Sequence, residues 1–338
     1  MYAFIIFVSV FFSFFQIKAD EVNLFTTRHY ESDIKLFDKF TNKSGIKVNI
    51  ITGKSKPLEK RILEEGKDCN ADLLFLADAG RLVSAEKKGL FQKTESNLLE
   101  SSIPEQFRNK YWFGLTKRAR ILYYNPKFTS FDEIINLRYE DLANKKWSKN
   151  VAIRQSNNVY NQSLVSYLLE INGEKKTKEW LKGLVENFFR NPQGNDRSQI
   201  LAVAAGDAKI AVANTYYYAL MLSGKKGKEQ QNAAKKVKPI FPNQDGRGTH
   251  MNISGAGILK YSPNKKNALK LLEFLISEEA QSHLSKNTYE YPILKNVNVS
   301  KLVKKIGIDF KEDTTTNVSV YGTLQKDAFK LMKEAGWN

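Results

Sequence analysis

Apolar positions along the chain change their period in a regular order. Glu21–Thr26 (EVNLFT) is a mostly apolar run of strand length. Ile34, Phe37 and Phe40 follow at helical spacing, and Gly45 stops that helix. Residues 46–51 (IKVNII) alternate apolar and polar side chains, as a strand does. Residues 58–65 read as a helix and 71–77 (ADLLFLA) as a buried strand. Asp78-Ala79-Gly80 opens a further helix that runs to Gly89. Strand and helix alternate, which predicts an open sheet with helices on its faces.

A second series follows. Residues 121–124 (ILYY) form a strand closed by Asn125-Pro126, and 151–154 form another. Helices are expected over 162–170, 176–188 and 198–205, then a strand over 209–213 (KIAVA). Strands at 237–241 and 255–259 precede a helix over 267–277 with Leu269, Leu272, Phe274 and Leu275 on one face. A last amphipathic helix covers 324–335. No fixed period repeats, which argues against a solenoid or propeller. The expected class is α/β, with two lobes in succession. The first covers 20–120 with a return segment at about 244–292, and the second 121–243 with a C-terminal segment at about 293–338. A cleft between two such lobes is a natural ligand site.

The start of the chain breaks this pattern. Residues 2–17 (YAFIIFVSVFFSFFQI) are almost wholly apolar, yet too few to span a bilayer comfortably. They read as a secretory leader over 1–19, cut after Ala19, with an uncleaved anchor as the alternative. Without 1–19 the chain keeps 52 basic and 36 acidic residues, about +16. Charge of that sign raises the question of a nucleic-acid partner. The lysines are dispersed, as at Lys87/Lys88, Lys145/Lys146 and Lys265/Lys266, without interleaved aromatics, so they read as solvated surface. The single Cys69 excludes an intramolecular disulfide and any multi-cysteine metal site. His29, His250 and His283 are too scattered for a His-rich zinc site. Neither a nucleotide-binding glycine fingerprint nor a nucleophile-elbow pattern is present, and Asp72, Asp78 and Asp196 suit turns and helix caps.

The chemistry gathers on tyrosine. Arg28-His29-Tyr30 lies between a strand end and a helix start, the edge at which open α/β sheets bind ligands. Tyr160 follows a strand and a Ser156-Asn157-Asn158 turn, and Tyr216-Tyr217-Tyr218 follows residues 209–213. Each of these tyrosines has the alternative of packing where its helix starts, with its hydroxyl on water or backbone, and for Tyr30 taken alone that alternative is the stronger. Three tyrosine sites just past strand ends weigh more together than singly. Phenolate is a hard anionic donor, and hard oxygen donors suit a hard, highly charged cation such as Fe(III). A free phenol ionises near pH ~10, so a bound cation must drive the proton off. Four tyrosinates on Fe(III) leave about one net negative charge, for which Arg28 and Arg120 are candidate neighbouring cations, or else lobe-packing arginines.

Several segments then resemble one family: Arg28-His29-Tyr30, Asp78-Ala79-Gly80-Arg81-Leu82, residues 112–120 (WFGLTKRAR), 158–164 (NVYNQSL), 192–197 (PQGNDR) and Asn214-Thr215-Tyr216-Tyr217. In order and spacing they resemble the periplasmic ferric-iron-binding proteins of bacterial ABC importers, nearest the cyanobacterial-type FutA group. The resemblance implies a type II periplasmic-binding-protein fold and no enzymatic chemistry. It also implies Fe(III) as transported ligand, the periplasm as location and an ABC permease in the inner membrane as partner. A monomer is expected. Carried over by position, the ligands are Tyr30 with His29 from the first lobe and Tyr160, Tyr216 and Tyr217 from the second, with Tyr218 packed in its helix. Arg120 matches a position behind the ligands. One departure stands out: Leu220 occupies a position where relatives often carry arginine. The rival reading is a binding protein of the same fold for an oxyanion or small organic acid, held by helix starts and positive charge. An exported enzyme using the cleft has no residue set to support it.

Overall fold

The structure, a computed structural model, describes residues 20–338. The expected leader at 1–19 lies outside the described residues.

The opening series forms as its periodicity predicts. Strands β1 (Glu21–Thr26), β2 (Lys47–Thr52) and β3 (Leu73–Ala77) alternate with helices α1 (Glu31–Ser44), α2 (Ser55–Glu65) and α3 (Ala79–Lys87). Both β2 and β3 run parallel to β1. Gly45 ends α1 in the left-handed region at φ 73°, its N–H on the Thr41 carbonyl, a conformation that suits glycine. The buried face of α1 is Leu36, Phe37 and Phe40, while Ile34 is 53% exposed. Asp33 goes inward instead, because buried Arg28 bonds its carboxylate through Nε at 2.7 Å.

After the short helix α4 (Asn97–Ser102) comes β4 (Phe113–Tyr124), three times the length expected. Arg118 and Arg120 interrupt its apolar pattern, yet both are buried. The first half of β4 pairs antiparallel with β8 (Met251–Ile258), which also runs antiparallel to β3. Its second half pairs antiparallel with β6 (Ile210–Asn214) and β7 (Lys238–Ile240), and short β5 (Val151–Ala152) lies parallel to β6. One strand thus belongs to both lobes. Gly255 and Gly257 let β8 approach closely, since a Cβ there would stand 2.5 Å from the Phe113 carbonyl and 2.4 Å from that of Tyr111.

The second lobe carries α5 (Val159–Glu186), α6 (Asp196–Ala205), α7 (Thr215–Leu222) and α8 (Lys228–Lys236). The two helices expected over 162–188 run end to end as α5, broken at Gly173 (φ 74°, ψ 170°). The chain then returns to the first lobe through β8, α9 (Lys265–Leu275), α10 (Glu278–Thr288) and β9 (Tyr291–Pro292), which pairs with β4 at Thr116 and Lys117. Short helices α11 (Lys301–Ile306) and α12 (Val320–Thr323) precede α13 (Gln325–Glu334). Helix α11 packs on α7, α12 lies against both α3 and α5, and α13 packs on α5. The full order β2-β1-β3-β8-β4-β6-β5 is that of two α/β lobes joined by crossing strands. Among the described residues no helix is long and apolar enough to cross a membrane.

Candidate metal centre

Three strand-to-helix turns face one another across the cleft. In the first, β1 ends at Thr26, whose hydroxyl accepts from the Arg28 N–H at 3.0 Å. Arg28 is buried, with Nε on Asp33 and Nη1 on Glu290 at 2.8 Å, and its Cζ lies 4.9 Å from the centre of the Tyr30 ring. Tyr30 is half-buried and keeps an extended backbone just before α1. His29 is exposed, its ring stacked on Tyr30 at 5.5 Å. In the second turn, the Asn158 side chain accepts from the Tyr160 N–H at 3.1 Å and sets the start of α5. In the third, α7 begins directly after β6, and the rings of Tyr216 and Tyr217 lie 4.3 Å apart. The Tyr216 hydroxyl donates to that of Tyr160 at 3.2 Å. His29, Tyr30, Tyr160, Tyr216 and Tyr217 therefore line one cavity of about 770 Å³. Tyr218 turns away, donating to the Val237 carbonyl at 2.8 Å against Tyr123.

Arg120 does not line that cavity. It sits buried behind it, with Nη2 on the Asn161 side chain at 2.5 Å and Nη1 on Asn214 at 3.0 Å and Asp196 at 3.3 Å. Asp196 also accepts the Asn214 N–H at 2.9 Å. One guanidinium thus ties the neighbour of Tyr160 to the strand end before Tyr216.

Burial is the main reason that the phenols of Tyr30, Tyr216 and Tyr217 are held well above the ordinary range near 10. Neighbouring charge adds to it, from Glu290 at Tyr30 and from the Tyr160 phenol at Tyr216 and Tyr217. These phenols stay protonated at neutral pH. No group of three or more His, Cys, Asp or Glu side chains among the described residues is arranged to hold a metal.

A family profile described as bacterial extracellular solute-binding protein matches residues 69–310. Iron uptake protein A1 of Synechocystis sp. is 47% identical over 95% of this chain and 88% of its own. The Trichodesmium FutA (IdiA) structure in complex with iron and citrate superposes with a TM-score of 0.91 at 47% identity, over 94% of this chain and all of that one. The ferric binding protein of Campylobacter jejuni gives 0.86 at 39% identity, over 94% of this chain and all of that one. The chain belongs to the bacterial extracellular solute-binding proteins.

Arg118 and Glu290 of this solute-binding protein's cleft are among the residues that escaped the sequence reading of the site. Arg118 is buried and lines the cavity, its Cζ 5.2 Å from the centre of the Tyr160 ring. Its Nη1 donates to Ser254 at 3.2 Å and its Nη2 is 3.5 Å from the Asp78 carboxylate, while Nε and Nη2 have no hydrogen-bond partner. Strand alternation could have found it, because Arg118 and Arg120 stand two apart and share a face of β4. Glu290, buried in the same lining, accepts from Arg28 and from Ser254. Burial works against its charge, but Arg28 and Arg118 hold its carboxyl below the usual range. No sequence pattern marked Glu290, since beside the nearby Thr288 hydroxyl its partners lie 36 and 262 residues away. Leu220, Lys225 and Lys226 line the cavity as well.

Proposed function

We propose that this solute-binding protein captures Fe(III) in the cleft and delivers it to the permease of an ABC importer. Its ligands are Tyr30, Tyr160, Tyr216 and Tyr217 as tyrosinates, with His29 beside them. The observation that carries this reading is the meeting of four phenols from three distant turns in one cavity, with the Tyr216 and Tyr160 hydroxyls 3.2 Å apart. Relatives named for iron uptake and ferric binding support it. Iron is the cargo, so no chemistry on it is required of the protein. Binding releases the phenol protons and weakens in acid. Arg118, held against Tyr160, offsets part of the net negative charge of a four-tyrosinate ferric site. Ligands from both lobes mean that closure completes the set. The leader over 1–19, cut after Ala19, directs the protein to the periplasm, where it acts as a monomer. The lobes divide at 20–120 with 244–292, and 121–243 with 293–338.

A visible absorption titration with a chelated ferric salt tests the proposal. The expected result is a broad blue-green band from tyrosinate-to-iron charge transfer, saturating at one iron per chain and lost in acid. A colourless protein that leaves iron with its chelator overturns it. The second reading, an oxyanion or small organic acid as ligand, draws on the Arg118 guanidinium, whose Nε and Nη2 have no hydrogen-bond partner though Nη2 is ion-paired with Asp78. It predicts tight anion binding without colour.

A further inference from the structure

Tyr289 ends α10 in a left-handed backbone conformation, φ 61° and ψ 21°. A bulky side chain there costs free energy and persists only where its surroundings over-determine it. Both neighbours are pinned. The Thr288 hydroxyl donates to the Leu284 carbonyl at 2.9 Å, and the Glu290 carboxylate is held by Arg28 and Ser254. The left-handed turn aims the Tyr289 ring at the tyrosine cavity, whose wall it joins.

Facing it is Lys225, on the loop directly after α7, the helix that carries Tyr216 and Tyr217. That loop is braced from within. The Lys225 N–H donates to Ser223 Oγ at 3.3 Å, Gly227 N to the Gly224 carbonyl at 3.0 Å, and the Gln231 side chain to the Leu222 carbonyl at 3.0 Å. Lys225 Nζ lies 5.2 Å from the centre of the Tyr289 ring, within cation–π range. The ring belongs to the lobe that supplies Tyr30, and the ammonium to the lobe that supplies the other three phenols.

We propose that Lys225 and Tyr289 form a clasp across the mouth of the cleft, seating an ammonium of one lobe on an aromatic face of the other and biasing the lobes toward closure. The pair are positioning residues: they act on how long the ion is held, not on its ligation. The inference rests on the ferric reading only for the choice of ion.

The test is the rate at which a strong chelator strips iron from the loaded protein, with the radius of gyration of the iron-free protein measured in parallel by small-angle scattering. Lys225→Ala and Tyr289→Gly are each expected to lose iron about two- to five-fold faster, as a partly exposed cation–π contact implies. The position of the charge-transfer band should not move. Tyr289→Phe keeps the ring and should keep the parent rate. Tyr289→Gly relieves the left-handed backbone but also removes a buried ring, so it should melt below the parent, whereas Lys225→Ala, at an exposed side chain, should melt like the parent while losing iron faster. A purely structural role for the ring predicts the parent rate in Lys225→Ala. That parent rate overturns the clasp. If the parent takes up no iron, the ferric reading fails alone. The clasp then stands on a larger radius of gyration in both variants and falls if the radius is unchanged.

Discussion

The two sides of the cleft hold their phenols in different ways. On the first lobe a single phenol, Tyr30, leans on one guanidinium, and the adjacent His29 is exposed. On the second, Tyr160 and Tyr216 already share a hydrogen bond, and the Tyr217 ring lies tilted against that of Tyr216. Arg120 and Asp196 lock the backbones behind those helix starts into one frame. Three phenols are therefore already together on the second lobe, and on the ferric reading proposed above one or two more donors arrive with closure. On that proposal the ion is taken on the second lobe first and held on closing. The contrast also separates two kinds of arginine. Arg120 builds the frame without touching the cavity, whereas Arg118 faces the phenols with part of its guanidinium unbonded.

The frame is the largest target. Arg120→Ala takes one of two guanidinium partners from buried Asp196, leaving Arg154 at 3.5 Å, so the cost is up to the roughly 3–5 kcal/mol of a broken buried pair. Chemical denaturation should register that loss, with weaker iron uptake by whatever still folds. An Arg120→Ala protein as stable as the parent would break the view of a pre-built second lobe.

Next come the phenols themselves. Changes behind metal ligands cost about 10–100-fold in affinity, so removing a ligand oxygen by Tyr216→Phe or Tyr217→Phe should cost more than about 100-fold. Iron competition with a chelator measures this. Two variants that bind like the parent would remove these tyrosines from the site. Tyr30→Phe sharpens the contrast: it should leave a weak, coloured, open complex on the second lobe.

Acid probes the junction between the lobes. His250 is buried just before β8, stacked on Tyr321, with neither ring nitrogen hydrogen-bonded. Burial, then Arg120 and Arg118, lower its pKa from 6.5 to about 3. Below pH ~6.5 the unfolded chain takes up a proton that the folded one refuses. The stability contribution is therefore complete above that pH and falls away toward pH 3. At pH 5 the loss is about 2 kcal/mol. His250→Leu should flatten this part of the stability–pH curve, and an unchanged slope would show that His250 does not titrate in this way.

The smallest effect belongs to His29. Exposed and stacked on Tyr30, it should cost about ten-fold or less in iron affinity when changed to alanine. A loss as large as that of Tyr217→Phe would make the two sides of the cleft equal in weight.

Period and punctuation along the chain determined the α/β class, the order of strands and helices, and the strand-end places of Tyr30, Tyr160 and the Tyr216-Tyr217 pair. These are local properties, set by which side chains recur every two or every 3.6 residues and by where glycine and proline interrupt them. Family likeness, carried by short motifs in order, singled out the same tyrosines. Tertiary structure decided the rest. It extended β4 and β8 through Arg118, Arg120, Asn252 and Ser254, polar residues that a hydrophobic pattern reads as surface but that hydrogen bonds to distant segments hold in the interior. It turned Ile34 outward because Arg28 draws Asp33 in. It put Arg118, Glu290 and Tyr289 beside the phenols, since burial and charge pairing depend on neighbours in space and not on neighbours in the chain.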